Sequence, residues 1–482
     1  MSWHLILNLI GFVLVFTSIF MLIPVAVSLI YGGEDITSLI VSFVLTFLSG
    51  GLLYFSTRSH RKEDLRHKDG FIIVTLSWLA VSFFGSLPFI LSGSIPSFTD
   101  AYFEAMSGFT TTGASVIKDI EALPKGILFW RSLTQWIGGM GIILFAIAIL
   151  PFLGAGTVHL FRAEVPEITV DKLRPRIINT AKALWYIYVT ITVAATLFYM
   201  AGGMSIYDAL CHSFTTLATG GFSTKNASIA HFHSPFIDAV VTIFMFLSGV
   251  NYSLYFFVFR GNILMLLKSN EFKFYISVTL LSIALITLSI WVSSYGFFLD
   301  SIRYASFQAV SIMTTTGYVT ADYERWPFFP QILLVVLMFF GSMIGSTGGG
   351  MKQVRVLLML KQVYREIYQL IHPHAMTKLK IDNKTLTKEL LGNIWGFLFL
   401  FLFIWVVSTL ALTALGVDII TSATTAISAM SNVGPALGEA GPMDNYSGLP
   451  AAGKWILIFC MLTGRLEVYT VIILFIPHFW KK

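Results

Sequence analysis

Four short stretches of this chain hold the residue types best suited to chemistry. Thr110-Thr111-Thr112-Gly113 follows an apolar segment too short to cross a bilayer and lies between hydrophobic runs at 70–92 and 127–153. The same letters recur at Thr314-Thr315-Thr316-Gly317, again between two hydrophobic runs. Two further segments align with these when each is anchored on a glycine, giving Gly113, Gly221, Gly317 and Gly434. Eight residues before the anchors stand Ala105, Ser213, Ala309 and Ala426, all small. Six before stand the hydroxylic Ser107, Thr215, Ser311 and Ser428, and four before the apolar Phe109, Leu217, Met313 and Met430. Phe103 and Phe307 coincide as well, so the third copy matches the first most closely. Self-similarity of this kind marks an internal repeat.

The chemistry follows from a short helix that ends in a glycine turn. The helix macrodipole places roughly −0.5 charge at its C-terminus, which favours a cation. Glycine adopts φ > 0 at little cost, so consecutive carbonyls can be turned to face one way. Rings of carbonyls can replace the hydration shell of a monovalent cation. The anchors carry no ring of carboxylates, which a divalent-cation site would favour. One such segment alone reads more readily as a buried helix with a glycine C-cap. Four in register make a filter, with Thr110, Thr111, Thr112 and Gly113 in the first copy and Thr219, Gly220 and Gly221 in the second. Thr315, Thr316 and Gly317 form the third copy, and Asn432, Val433 and Gly434 the fourth. Gly220 before the second anchor and Pro435 after the fourth depart from a regular filter, so fewer ordered ions are expected than in four evenly spaced sites.

Such turns need a scaffold at membrane depth. The 482 residues are 56% hydrophobic and 12% charged, with a mean hydropathy of +0.79. Soluble domains carry about 25% charged residues, so the chain reads as a polytopic membrane protein. At roughly 20 apolar residues per crossing, ten spans are expected, at 5–31, 36–56, 70–92, 127–153, 181–203, 236–259, 274–297, 328–350, 391–415 and 454–476. The first run has no Lys or Arg before it and exceeds a signal-peptide core, so it reads as a retained helix.

The expected fold is all-α. Four helix–P-loop–helix repeats surround a central pore, beside an N-terminal hairpin. The expected units are 1–69 (hairpin and loop), 70–160, 161–265, 266–385 and 386–482 (pore repeats 1 to 4). Basic residues cluster after the second, fourth, sixth, eighth and tenth spans, which by the positive-inside rule puts both termini and these loops in the cytoplasm. All four turns then enter from outside. Topology accounts for these charges without any nucleic-acid partner. Cys211 and Cys460, far apart in apolar segments, read as small buried hydrophobes and show no metal spacing.

A second stretch, Gly341-Ser342-Met343-Ile344-Gly345-Ser346-Thr347-Gly348-Gly349-Gly350, falls within the eighth span. Each glycine costs about 1 kcal/mol in a helix relative to Ala. Broken backbone at that depth is tolerated where it lines a cavity; a Gly-rich packing face is the other reading. The functional reading is a gate loop below the filter. Arg465, inside the tenth span, should face the pore beneath the filter or contact that loop, because a charge there costs about 2.5–3.5 kcal/mol on insertion scales. Glu467, two residues on, faces a different side of a helix. Arg131 and Asn251 read as structural hydrogen-bonding residues. The basic segment 352–388 reads either as a solvated extension of the eighth helix or as a docking surface. His372 and His374 within it are too few for a metal site.

With these residues in view, the chain resembles the membrane subunit of the Trk/Ktr/HKT superfamily of potassium transporters, of the bacterial TrkH and TrkG type. The resemblance rests on Phe109-Thr110-Thr111-Thr112-Gly113-Ala114-Ser115, Thr219-Gly220-Gly221-Phe222-Ser223, Thr314-Thr315-Thr316-Gly317-Tyr318 and Asn432-Val433-Gly434-Pro435. Trp130-Arg131-Ser132 and Gln135-Trp136-Ile137-Gly138-Gly139-Met140-Gly141 add to it. It covers essentially the whole chain. It implies one filter glycine per repeat, potassium as the transported ion, no covalent cofactor, and a location in the bacterial inner membrane. It also implies a homodimer and a cytosolic nucleotide-binding regulatory subunit of the TrkA type. In plant-type relatives a serine at the first filter position goes with sodium; Gly113 favours potassium by resemblance. A sodium or mixed transporter of the same fold stays open, as does the choice between channel-like and proton-coupled flux. An intramembrane enzyme using Ser107, Ser346 or His212 is the reading from another class, and it gives the fourfold repeat no purpose.

Overall fold

The computed structural model describes residues 2–57, 67–148, 173–374, 379–382, 384–385 and 388–481. Helices account for most of it, and turns and loops join them. The strands among the described residues form one hairpin, Lys380–Ile381 with Lys384–Thr385. Trp3–Tyr31 and Ile36–Ser56 form the N-terminal hairpin. Their backbones meet closely at Gly11 and Gly50: a Cβ on Gly11 would stand 2.7 Å from the Gly50 carbonyl oxygen. Asp35, buried in the hairpin turn, accepts the Ile127 N–H at 2.9 Å and ties the hairpin to the first repeat.

Each repeat has an outer helix, a short pore helix and an inner helix. In repeat 1 these are His67–Leu91, Phe98–Phe109 and Lys125–Ala148. Repeat 2 has Leu173–Ala201, Ile206–Leu217 and Pro235–Ser248. Repeat 3 has Asn270–Ile290, Phe298–Met313 and Phe328–Phe340. Repeat 4 has Lys388–Ala414, Ile419–Ser431 and Ala451–Arg465. Three pore helices start on a side-chain cap: Ser97, Ser205 and Asp418 accept the N–H of Asp100, Asp208 and Thr421. The caps satisfy N–H groups that the helix itself leaves open. Asp100, Asp208 and Asp300 in the first turns add the favourable dipole interaction.

Each pore helix packs against its own outer and inner helices and against the inner helix of the preceding repeat. The first pore helix does the same with the inner helix of the fourth repeat. The four repeats therefore close into a ring, with the C-terminal ends of the pore helices buried at its centre.

Among the described residues, six helices are long and apolar enough to cross a membrane, and eight if each of two bent pairs counts as one span. The inner helices of repeats 1 and 3 stand where the other two expected spans lie, and Phe328–Phe340, at 13 residues, is too short to cross alone. Three of the ten are not continuous helices: the break in 328–350 is the one expected at Gly341–Gly350, and those in 236–259 and 454–476 were not expected. The span at 236–259 bends by 100° between Ser248 and Tyr252, where Asn251 caps a new helix, Tyr252–Phe259, through the Ser253 N–H. The span at 454–476 bends by 113° after Arg465, where Glu467 and Val468 take φ of 58° and 51°. The span at 328–350 is helical only to Phe340 and then becomes an irregular loop. The segment after it is no extension of that helix: Gln353–Ile371 is a separate helix starting after Lys352. The last part of the 127–153 span and the basic residues of loops 58–66 and 149–172 lie outside the described residues.

Candidate selectivity filter and gate

The four pore helices end alike. Thr111, Thr219, Thr315 and Asn432 all occupy the left-handed region, with φ of 54°, 54°, 60° and 55°. Two residues later Gly113, Gly221, Gly317 and Gly434 take φ of 85°, 74°, 77° and 104°. The N–H of Thr112, Gly220, Thr316 and Val433 returns to the carbonyl of Ser107, Thr215, Ser311 and Ser428 at 2.8–2.9 Å. Those four acceptors are the hydroxylic positions of the sequence alignment. The pattern is a Schellman cap, with Thr or Asn where glycine is usual. A β-branched residue at positive φ is an outlier costing about 1–3 kcal/mol, held only where its surroundings over-determine it. All four are fully buried.

The turns meet one another in order around the ring. A Cβ on Gly113 would overlap the Gly220 carbonyl oxygen, one on Gly221 that of Thr316, and one on Gly317 that of Val433. The circle closes at Gly434, whose Cβ would stand 2.7 Å from the Thr112 carbonyl oxygen. In every case the acceptor is the residue just before the next repeat's anchor. Glycine is thus required twice at each anchor, by its φ and by the neighbouring backbone. The structure brings all the sequence-predicted filter residues into this one ring.

Side chains behind the ring brace it. Gln135 donates to the Gly220 carbonyl at 2.7 Å and accepts the Phe222 N–H at 3.1 Å. Tyr446 Oη donates to the Gly434 carbonyl at 2.5 Å. Tyr318 Oη bonds Thr215 Oγ1, while the Tyr318 carbonyl accepts from Ser311 Oγ at 2.7 Å. Arg131 pairs with Glu104, with Nε 2.6 Å from Oε1, a partner that sequence reasoning did not find.

The Gly341–Gly350 loop lies directly against the C-terminal ends of the pore helices and the ring of turns. Gly349 N–H donates to Thr315 Oγ1 at 2.7 Å, and Ser342 Oγ donates to the Thr314 carbonyl at 3.2 Å. Thr347 Oγ1 donates to the Leu217 carbonyl at 2.8 Å, at the end of the second pore helix. A Cβ on Gly349 would overlap the Ser431 carbonyl oxygen of the fourth. Arg465 Nη1 donates to the Thr347 carbonyl at 2.7 Å, and its Nη2 reaches Gly138 O of the first repeat at 3.4 Å. Arg465 is 3% exposed, so this charge contacts the loop. Glu467 turns away from it and pairs with Arg355 at 2.5 Å.

Glu271 was not singled out from the sequence. Its buried carboxylate oxygen Oε1 accepts the N–H of Ile344 at 2.8 Å and of Val354 at 3.2 Å. One side chain therefore pins both flanks of the loop's glycine cluster. Its only sequence signal is an acid at the start of an apolar span, which also reads as an ordinary helix-terminus charge.

Residues 36–482 match the TrkH family, described as a cation transport protein. The chain belongs to the TrkH family. Its relatives are named as transport proteins, not enzymes. It is 43% identical to the Trk system potassium uptake protein TrkH of Halomonas elongata, over 100% of both chains. It is 42% identical to the protein of the same name from Escherichia coli K12, again over 100% of each. Among solved structures, the potassium transporter TrkH from Vibrio parahaemolyticus superposes with a TM-score of 0.92 at 38% identity, covering 100% of both chains. The family and the apolar helices together make this a multi-pass membrane protein.

Proposed function

We propose that the chain conducts potassium into the cell across the cytoplasmic membrane, through a filter of backbone carbonyls formed by the four turns. The observation that carries this reading is the closed ring, in which four anchor glycines each face the carbonyl before the next. Residues at positive φ two apart in each turn let carbonyls line one axis, where they substitute for an ion's water. The negative ends of four helix dipoles converge on the same place. Relatives named potassium uptake proteins give the ion its identity.

In this reading the Gly341–Gly350 loop is the gate. It touches the lower edge of the filter, and Arg465 adds a positive barrier beneath it while holding the loop in place. Both termini face the cytoplasm in this reading, which the positive-inside bias of the basic loops supports. The helix Gln353–Ile371 continues directly from the loop, so a cytosolic nucleotide-binding subunit docked on it would act on the gate. The functional unit is a homodimer.

The test is uptake in cells lacking their own potassium transport. The chain should restore uptake of rubidium, and excess sodium should compete poorly. Equal uptake of both ions would replace the potassium reading with a mixed transporter, and uptake of neither would remove the pore.

A further inference from the structure

Beside the first two turns lies an ion pair that passage of a cation does not itself require. Glu104, on the first pore helix, and Arg131, on the first inner helix, are 0% and 2% exposed, with Arg131 Nε 2.6 Å from Glu104 Oε1. Both partners spend their remaining hydrogen bonds on the chain just past a filter glycine. Glu104 Oε1 accepts from Ser115 Oγ at 3.1 Å, and Oε2 accepts the Val116 N–H at 2.9 Å. Arg131 Nη1 donates to the Ser223 carbonyl at 2.9 Å. Its guanidinium carbon lies 3.6 Å from the centre of the Phe222 ring. One helical turn on, Gln135 grips Gly220 and Phe222. The pair thus joins the outgoing strand of turn 1 to that of turn 2.

The same position in the other pore helices carries weaker chemistry. Nine residues before the anchors stand Glu104, His212, Gln308 and Thr425. His212 Nε2 bonds Ser223 Oγ at 2.9 Å, the counterpart of the Glu104–Ser115 contact. Gln308 reaches Thr320 Oγ1 only at 3.4 Å, and Thr425 bonds back to Thr421 of its own helix. Among these four positions, a charged strut is built only at the first.

We propose that the Glu104–Arg131 pair is a positioning element for ion discrimination: it fixes the separation of the first and second filter turns. This rests on the filter reading. Selection between ions of like charge depends on the size and field of the carbonyl cage, and such a cage is held by the shell behind it. A buried pair with directed hydrogen bonds is a stiffer shell than an amide or hydroxyl contact.

The experiment compares rubidium and sodium uptake per molecule of membrane-inserted protein for the wild type, Glu104→Gln and the double variant Glu104→Gln with Arg131→Gln. The double variant leaves no buried charge unpaired, so it guards against a folding defect of the single one. Both should keep rubidium uptake while the rubidium-to-sodium ratio falls about tenfold, the factor that roughly 1.4 kcal/mol of differential ion binding produces. An unchanged ratio in a variant that accumulates overturns the proposal. If neither variant accumulates, the pair serves folding and the proposal also falls. Gly113→Ser separates the two readings. A changed ratio there with an unchanged ratio in the pair variants removes the strut and keeps the filter, whereas no change in any variant removes the filter itself.

Discussion

The Cα of Gly434 faces the carbonyl of Thr112, near enough that a Cβ would stand 2.7 Å from the oxygen. This contact joins the last repeat to the first and makes four sequential copies into a ring. Its consequence is that no turn can be altered without loading the next one.

Alanine at the anchors should therefore damage transport in a defined order. In Gly221→Ala and Gly317→Ala the new methyl overlaps a backbone carbonyl, which cannot swing aside as a side chain can. Gly434→Ala meets its carbonyl at 2.7 Å and has more room. All carry the positive-φ strain of about 1 kcal/mol or more. Rubidium uptake should fall most in the first two and least in the third. Equal uptake in all three would show that the ring contact does not govern the path.

The gate reading makes an opposite prediction. Arg465→Ala removes a donor to the Thr347 carbonyl and a buried positive charge, so cation flux should rise. Deleting Gly345–Gly349 should raise flux further and abolish its regulation. Unchanged uptake in both, in protein that still inserts, would show that the loop does not gate.

Glu271 separates a pinned loop from a merely packed one. Glu271→Ala strips the acceptor from two buried N–H groups, at about 1–3 kcal/mol for each one left unpaired. Hydrogen exchange at Ile344 and Val354 should accelerate and flux should increase. Glu271→Gln keeps a carbonyl oxygen in place and should resemble the wild type. Protection unchanged in the alanine variant would rule out the pinning role.

The Arg355–Glu467 pair links the helix after the gate loop to the break after Arg465. A double-mutant cycle with alanine at both sites, read by thermal unfolding, should give a coupling of about 0.5–3 kcal/mol. Additive losses would mean that the two segments move independently.

The sequence made much of this legible. The ring follows from aligning Gly113, Gly221, Gly317 and Gly434, because the Schellman carbonyls belong to the same hydroxylic column that the alignment found. The break at Gly341–Gly350 was readable because clustered glycines do not hold a helix. The bends after Ser248 and Arg465 were not readable. Hydropathy counts apolar residues and does not register that Asn251 caps a new helix or that Glu467 and Val468 take positive φ. The Glu104–Arg131 and Arg355–Glu467 pairs were hidden for another reason. Each joins residues from different elements, and only the packed ring shows which charges meet.

The most direct test of the filter is electron density along the ring axis in crystals grown with rubidium and then with sodium. The account predicts anomalous rubidium density beside the carbonyls of Thr112, Gly220, Thr316 and Val433, in fewer than four evenly spaced sites, and weaker density with sodium. Rubidium uptake by protein whose ring shows no ion density would contradict it.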